Sequence, residues 1–420
     1  MGSTVSEQDI DAAIANPATY ADEAACHALY TRLRAESPLR WTEPPGYDPF
    51  WTVTKYQDIQ DIERQADVFL SAPRTALRTI AQEDNIRKMT GSRQVARTII
   101  QMDGMEHRAF RLLTQAWFAP AKLTSLEEKL SQLARASIDT MEGKGGYCDF
   151  VSDIAVWFPL QVVTTILGAP VEDTPFILKM TQQHFGSDDP KLKRAGSTDS
   201  TGAVKDLFEY FNRMTAERRK NPRDDLFSLL ADAKIDGKPI SDHDRNSYFF
   251  IMAIAGHDTT SSSISGTLLA LLQHPEQFAR LRAQPALLPT AIDEGVRWVS
   301  PVKHFFRTAA KETVVRGQTI REGDSLLLSY PSANRDEDAF DAPFEFRVDR
   351  SPNRHMAFGF GPHVCLGQHL AKLEMRILFG ELLSRLQHIE LAGQPEWIHA
   401  NFVGGLKSLP ISYRFHRAAA

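Results

Sequence analysis

Cysteine is scarce in this chain: Cys26, Cys148 and Cys365 are the only three among 420 residues. So few thiols exclude a disulfide framework in a protein of this size. Cys26 and Cys148 read as buried, inert thiols that pack as small hydrophobes. Cys and His clusters at zinc-finger spacing are also lacking. Residues Met1–Tyr20 lack a basic stretch followed by an apolar run, so no secretory signal is expected. No apolar run approaches the roughly 20 residues that a bilayer span requires. Neither sign of charge dominates: the net charge is −5 and the pI about 6.2. That balance offers no basic surface for nucleic acid or anionic lipid. The expectation is a cytoplasmic protein, monomeric, with no membrane and no nucleic-acid partner. What is present is ample core material, 42% hydrophobic against 24% charged. Internal repeats and domain-scale linkers are absent, which favours one domain.

Helical periodicity dominates the chain. Leu123, Leu126, Leu130, Leu133 and Ile138 recur at helical spacing and predict a helix over Lys122–Met141. Ser241-Asp-His-Asp244 reads as an N-cap with an acid three residues on, opening a long helix that runs to about His274 and stops at Pro275. Tyr248–Ala255 is apolar on every side, so this helix should cross the middle of the protein. Further helices are predicted over Pro289–Val299 and Leu366–Leu386. Strand signals are fewer: Phe50–Thr54, a hairpin over Thr313–Ile320, Ser325–Ser329 and a terminal strand over Lys407–Phe415. The polar stretch Gly186–Gly202 reads as a mobile connection between helices. The fold class is mainly α with a small β-rich lobe, without βαβ alternation.

The strongest chemical signal is Phe358-Gly-Phe-Gly-Pro-His-Val-Cys-Leu-Gly367. Its glycines allow sharp turns and close backbone approach. Cys365 would sit where the loop meets the Leu366–Leu386 helix, near free N–H groups and the positive end of the helix dipole. Phe358 could shield the sulfur. Such a thiolate suits a haem iron, tuned by its hydrogen bonds. Other uses of the loop stay open on the residues alone. A phosphate cradle lacks its third glycine. Zinc would want more ligands. A nucleophilic cysteine would want a base, and His363 is close.

Two further clusters are ambiguous taken singly. Glu294-Gly-Val-Arg297 places opposite charges at i and i+3, usually a surface ion pair worth a few tenths of a kcal/mol. Ala255-Gly-His-Asp-Thr-Thr260 puts glycine and a hydroxyl run inside a buried helix, against propensity. That pattern fits either a polar seam between helices or a groove beside Ala255–Gly256. Hydroxyls there tend to bond back to carbonyls and bend the helix.

The pattern Phe-x-x-Gly-x-x-x-Cys-x-Gly at 358–367 resembles the haem-binding loop of cytochromes P450. The order of long helix, Glu-x-x-Arg, β region and Cys loop is similar too, and the likeness runs from about Tyr30 to Phe415. Within that family, AGHDTTSSS, VRWVSPVK, LSYPSANRDED, CLGQHLAKLEM and Asn401-Phe-Val-Gly-Gly405 resemble the terpineol monooxygenase group. The resemblance implies one P450 domain over 1–420 with a short N-terminal extension, 1–25. It implies haem b between the long central helix and the Cys loop, with Cys365 as the axial thiolate. Phe358, Gly359 and Ala255 would border the haem. His107, Arg111, Arg307 and His363 would hold its propionates, as a largely apolar pocket requires. Thr259 would hold dioxygen and waters, and Asp258 would relay protons. Glu294, Arg297 and Arg350 would form a buried ion network bracing the Cys loop. His257 falls at a variable position and is assigned nothing.

The implied activity is oxygen insertion into a C–H bond of a small terpenoid, alicyclic or aromatic substrate. Ile100, Ile251, Ile254, Val302, Phe305 and Val403 are the candidate substrate-lining residues. No flavin or reductase motif is present, so electrons would come from NAD(P)H through a reductase and a [2Fe–2S] ferredoxin, docking near Arg108, Arg111 and Leu366. The rival enzymatic expectation is a peroxide-driven peroxygenase, which would not need the Asp258–Thr259 pair. The non-enzymatic one is a haem-thiolate gas or redox sensor, which would not need a substrate pocket.

Overall fold

The computed structural model describes residues 7–185 and 201–416. The predicted helix over Lys122–Met141 forms as Pro120–Gly143, with proline in its first turn and Leu123, Leu130, Ile138 and Met141 buried. The long helix spans Asp242–Gln273. Its cap is the predicted one: Ser241 Oγ accepts from the Asp244 amide at 3.0 Å and donates to the Asp244 carboxylate at 2.7 Å. Its 32 residues give a rod of roughly 48 Å at 1.5 Å per residue. Pro275 opens the next helix, Pro275–Ala283, as well as stopping this one. The stretch Tyr248–Ala255 is not buried on every side: Met252 and Ala255 open onto an internal cavity, which the apolar pattern could not distinguish from core.

Small residues let this central helix approach its neighbours, the helices Trp157–Leu167 and Leu288–Val299. A Cβ at Gly256 would lie 2.5 Å from Val163 Cγ2, and one at Gly266 would lie 2.5 Å from Val299 Cγ2. At Gly295 it would overlap the Thr267 side chain. The second prediction, Pro289–Val299, is met by Leu288–Val299. The helix after the Cys loop is Gln368–Arg385, starting two residues later than predicted. The main apolar core fills the space between these helices.

The β lobe is a five-stranded sheet in the order Leu39–Thr42, Phe50–Val53, Ser325–Ser329, His304–Ala309, Phe69–Leu70. Ser325–Ser329 runs parallel to Phe50–Val53 and antiparallel to His304–Ala309, with Leu327 opposite Phe306. The Thr313–Ile320 hairpin forms around Arg316 and Gly317, at φ 48° and 76°. The terminal strand is split: Leu406–Ser408 and Pro410–Phe415 pair with different partners on either side of Leu409. The N-terminal segment, expected as an extension over 1–25, is helical from Glu7, and Ile10, Ile14 and Tyr20 pack into a core with Phe306 and Leu327. Most of the predicted mobile connection lies outside the described residues; its last two, Thr201 and Gly202, open the helix Thr201–Lys220. Among the described residues no helix is long and apolar enough to cross a membrane.

The Gly295 contact makes a stability prediction. Gly295→Ala gains about 1 kcal/mol of helix propensity but overpacks a site that Thr267 already fills, at a cost of ~1–3 kcal/mol. Equilibrium denaturation should show a net loss that Thr267→Ala largely restores. An unchanged midpoint in the single variant would mean that the two helices can part there.

Candidate active site

The Cys loop owes its shape to glycine. Gly359 and Gly361 hold φ of 69° and 67°, a left-handed conformation that side chains disfavour. A Cβ at Gly361 would also run into the Glu63 backbone. The turn brings the Cys365 amide to the Phe358 carbonyl at 2.8 Å, while Lys372 Nζ lies 5.5 Å above the Phe358 ring. Because the helix starts at Gln368, the Gly367 and Gln368 amides are the groups left to face the sulfur. Burial pushes the Cys365 thiol up; those amides and Arg111 work against it.

Cys365 opens onto a cavity of about 270 Å³ between its loop and the central helix. Phe358, Gly359, His363 and Leu366 border it from the loop side, and Ala255 and Thr259 from the helix. Ile100, Ile251, Ile254, Val302, Phe305 and Val403 form apolar wall. His107 and Arg111 enter from the helix Gly104–Thr114, and Arg307 from the sheet. Every predicted cofactor and substrate position thus meets at one cavity, as does Thr259 of the two predicted catalytic residues; Asp258 does not line it.

The four basic groups there feel one another's charge and are held by separate partners. His107 and His363 stack with ring centroids 4.0 Å apart. Burial, then His363 and Arg111, pull His107 down to about 4, so it is neutral at physiological pH. His363 faces Asp103 at 3.8 Å. Arg111 Nη2 donates to the Val364 carbonyl at 2.7 Å. Arg307 donates to Glu63 Oε1 at 2.8 Å. This donor set fits a haem: an unpaired thiol facing the cavity, an apolar surround, and two arginines with two histidines for the carboxylates.

Two carboxyls at this cavity escaped the sequence analysis. Glu63 also accepts from Tyr330 Oη at 2.7 Å, leaves Oε2 without a partner, and is pushed up by burial. Glu374, on the helix after the Cys loop, has no partner for either oxygen, and burial raises it well above the carboxylate range. Its only sequence signal is a lone acid among the apolar positions Leu370, Leu373 and Leu378.

On the central helix, Thr259 Oγ1 donates to the Ala255 carbonyl at 2.8 Å, Thr260 to Gly256 at 3.1 Å and Ser263 to Thr259 at 2.8 Å. The hydroxyls bond back as expected, yet the helix stays continuous. Ala255 and Thr259, four apart, share the cavity face. Asp258 does not; the 100° step per residue turns it aside. Its Oδ1 lies 3.2 Å from His257 Nε2, Oδ2 has no partner, and burial raises its carboxyl. His257 is fully buried, with Nε2 3.5 Å from Thr181 Oγ1. The residue that the sequence left unassigned is therefore the partner of Asp258.

Glu294, Arg297 and Arg350 are buried, not the surface pair that spacing alone suggests. Arg297 donates to both Glu294 oxygens at 2.7 Å, and Arg350 Nε reaches them at 3.0 and 3.1 Å. Arg297 also holds the carbonyls of Asn334 and Pro343, and Arg350 those of Asp341, Ala342 and Glu345. Asn334 Oδ1 accepts from the Met356 amide at 2.7 Å, two residues before the loop. Burial alone would raise the Glu294 carboxyl; the guanidinium bonds hold it below the usual range.

A sequence model of the cytochrome P450 family matches residues 81–415. Over 410 residues the chain is 44% identical to cytochrome P450-terp of a Pseudomonas species, covering 94% of this chain and 95% of that one. It is 32% identical to a linalool 8-monooxygenase of Pseudomonas putida over 94% of this chain and 97% of that one. Among solved structures, CYP108D1 of Novosphingobium aromaticivorans superposes with a TM-score of 0.91 at 40% identity, over 98% of this chain and all of that one. CYP268A2 of Mycobacterium marinum, in complex with pseudoionone, gives 0.86 at 33% identity, over 94% and 97%.

The ion network carries its own prediction. Arg297→Ala leaves Glu294 buried and short of its main partner, at a cost of ~3–5 kcal/mol. Because the folded Glu294 carboxyl is depressed, its contribution is present above its unfolded value of about 4.3. It is lost as pH falls through the folded one. Urea denaturation at neutral pH should show the large loss, and the gap between variant and parent should shrink below about pH 4. Equal midpoints at neutral pH would remove the network's structural role.

Proposed function

Because this chain belongs to the cytochrome P450 family, whose members named above include monooxygenases, we propose that it hydroxylates a small, largely apolar terpenoid, alicyclic or aromatic substrate. The observation that carries this is the cavity itself: Cys365 on one wall, Ala255 and Thr259 on the facing helix, and six aliphatic or aromatic side chains around them. Haem, when bound, supplies the activation of dioxygen, one atom going to a C–H bond and the other leaving as water with two electrons and two protons. Cys365 would ligate the iron, and His107, Arg111, Arg307 and His363 would take the propionates. A relative named for linalool oxidation and a structural neighbour holding pseudoionone favour terpenoids.

The remaining work belongs to the protein's own groups. The Thr259 hydroxyl donates its hydrogen bond to the Ala255 carbonyl, which leaves its oxygen to accept from a water or other hydrogen-bearing ligand in the cavity. Asp258, one residue before, has its carboxyl raised by burial and lies 3.2 Å from His257 Nε2; it would relay protons toward that site. Electrons come from NAD(P)H through a reductase and a [2Fe–2S] ferredoxin. The docking face takes in Arg108, exposed on the helix Gly104–Thr114, with Arg111 and Leu366 beneath it; exposed Met105 and Leu112 flank it. An acidic ferredoxin meeting that arginine fits electrostatic steering.

Two measurements test this. A spin-state titration of the haem-loaded protein with terpenoids, arenes, fatty acids and sterols should respond to the first two classes; a response confined to fatty acids or sterols overturns the substrate class. Thr259→Ala should keep haem and substrate binding but yield several-fold less product per NADH, the electrons going to peroxide. Wild-type yield in that variant would take the role from Thr259.

A further inference from the structure

One wall of the cavity is out of keeping with the rest. Arg78, in the segment leading into the helix Ile80–Thr90, lines it. Its guanidinium makes no hydrogen bond or ion pair among the described residues, and its one favourable electrostatic neighbour is Glu83. Glu83 is already engaged, with Arg74 at 4.0 Å, Arg87 at 3.4 Å and Arg93 at 3.2 Å. Two other acids join this group: Asp84 faces Arg87 at 3.2 Å and Asp48 faces Arg93 at 2.8 Å. Among the described residues, four guanidiniums (Arg74, Arg78, Arg87, Arg93) thus share three carboxylates (Asp48, Glu83, Asp84), and Arg78, the one without a direct partner, is the one that faces the cavity. His184 borders the same cavity, its ring edge-on to Phe250 at 5.0 Å. Burial, then Arg78, pull His184 down to about 3, so it adds a neutral polar group and no second charge.

Burying an uncompensated cation in an apolar chamber is costly. A carboxylate would match it with two parallel hydrogen bonds. A neutral hydroxyl would satisfy one donor and leave the charge. We propose that Arg78 anchors a carboxylate of the substrate, so that the molecule oxidised is a small hydrocarbon acid. This rests on the cavity being the substrate chamber. Phe250, which His184 touches, precedes Ala255 by five residues on one helix, about 7–8 Å of rise. An acid pinned there presents the hydrocarbon end opposite its carboxylate to the Ala255–Thr259 region.

The test uses the haem-loaded protein and two probes that differ only in charge at one end, 4-isopropylbenzoate and 4-isopropyltoluene. Spin-state titrations should show the acid binding at least 10-fold more tightly than the hydrocarbon. Arg78→Gln should weaken the acid about 10- to 100-fold and the hydrocarbon less than 3-fold. Arg78→Lys, which keeps the charge, should recover part of the loss. If the hydrocarbon shifts the iron and the acid does not, the carboxylate anchor is wrong while the chamber stands. If neither probe shifts an intact haem-thiolate spectrum, the chamber assignment falls with it. Equal losses for both probes, or loss of haem from Arg78→Gln and Arg78→Lys alike, would make Arg78 a structural or propionate-binding residue and overturn the proposal.

Discussion

The Glu294 carboxylate has no access to water and six hydrogen bonds to hold it there: two from Arg297, two from Arg350, one from the Arg347 amide and one from Asn353. Its two arginines then gather carbonyls from residues 334 to 345, a stretch with little regular secondary structure of its own. Side-chain charge replaces the missing ladder bonds as the organiser of that segment. From Asn334 the order passes to Met356, then to Phe358, whose carbonyl positions the Cys365 amide. One buried anion on a neighbouring helix thus helps to set the sulfur's place.

Across the cavity the constraint is space rather than charge. Glycines on the central helix and on its neighbour let three helices approach within side-chain reach, and the chain answers with Val163, Thr267 and Val299 in the gaps. The hydroxyl run spends its protons on carbonyls one turn back. The helix therefore presents lone pairs, and no donors, where Thr259 meets the cavity. Between that surface and the Cys loop, cations stand at defined points of an otherwise apolar wall, nearly all matched by a carboxylate or a carbonyl.

The sequence carried the Cys loop almost whole, because its backbone demands glycine at 359 and 361 and those demands are written in residue types. It also carried the caps, the long helix and the order of the motifs. The Glu294–Arg297 spacing alone pointed to a surface pair and only the family resemblance implied burial, since burial depends on carbonyls 37 and 46 residues from Arg297. For Asp258 the motif gave the helix and a proton-relay role but not its neighbour: the 100° step per residue turns it toward His257, which a motif does not record. Glu63, Glu374 and Arg78 were invisible: each is an ordinary charged residue whose meaning comes from neighbours supplied by other segments. The break at Leu409 and the later start of the helix at Gln368 are local choices of hydrogen-bond partner, which periodicity does not resolve.

The contact between Gly256 and Val163 has a consequence for how such a chain can drift over generations. The methyl that glycine lacks is the space that a valine γ-carbon occupies, so the two positions hold one volume between them. An alanine at 256 is admissible only alongside a smaller residue at 163, and a bulkier 163 only while 256 stays bare. Two sites far apart in the chain thus inherit as a unit, and a descendant that changed one alone would carry a misfit in the cavity wall itself, beside Ala255.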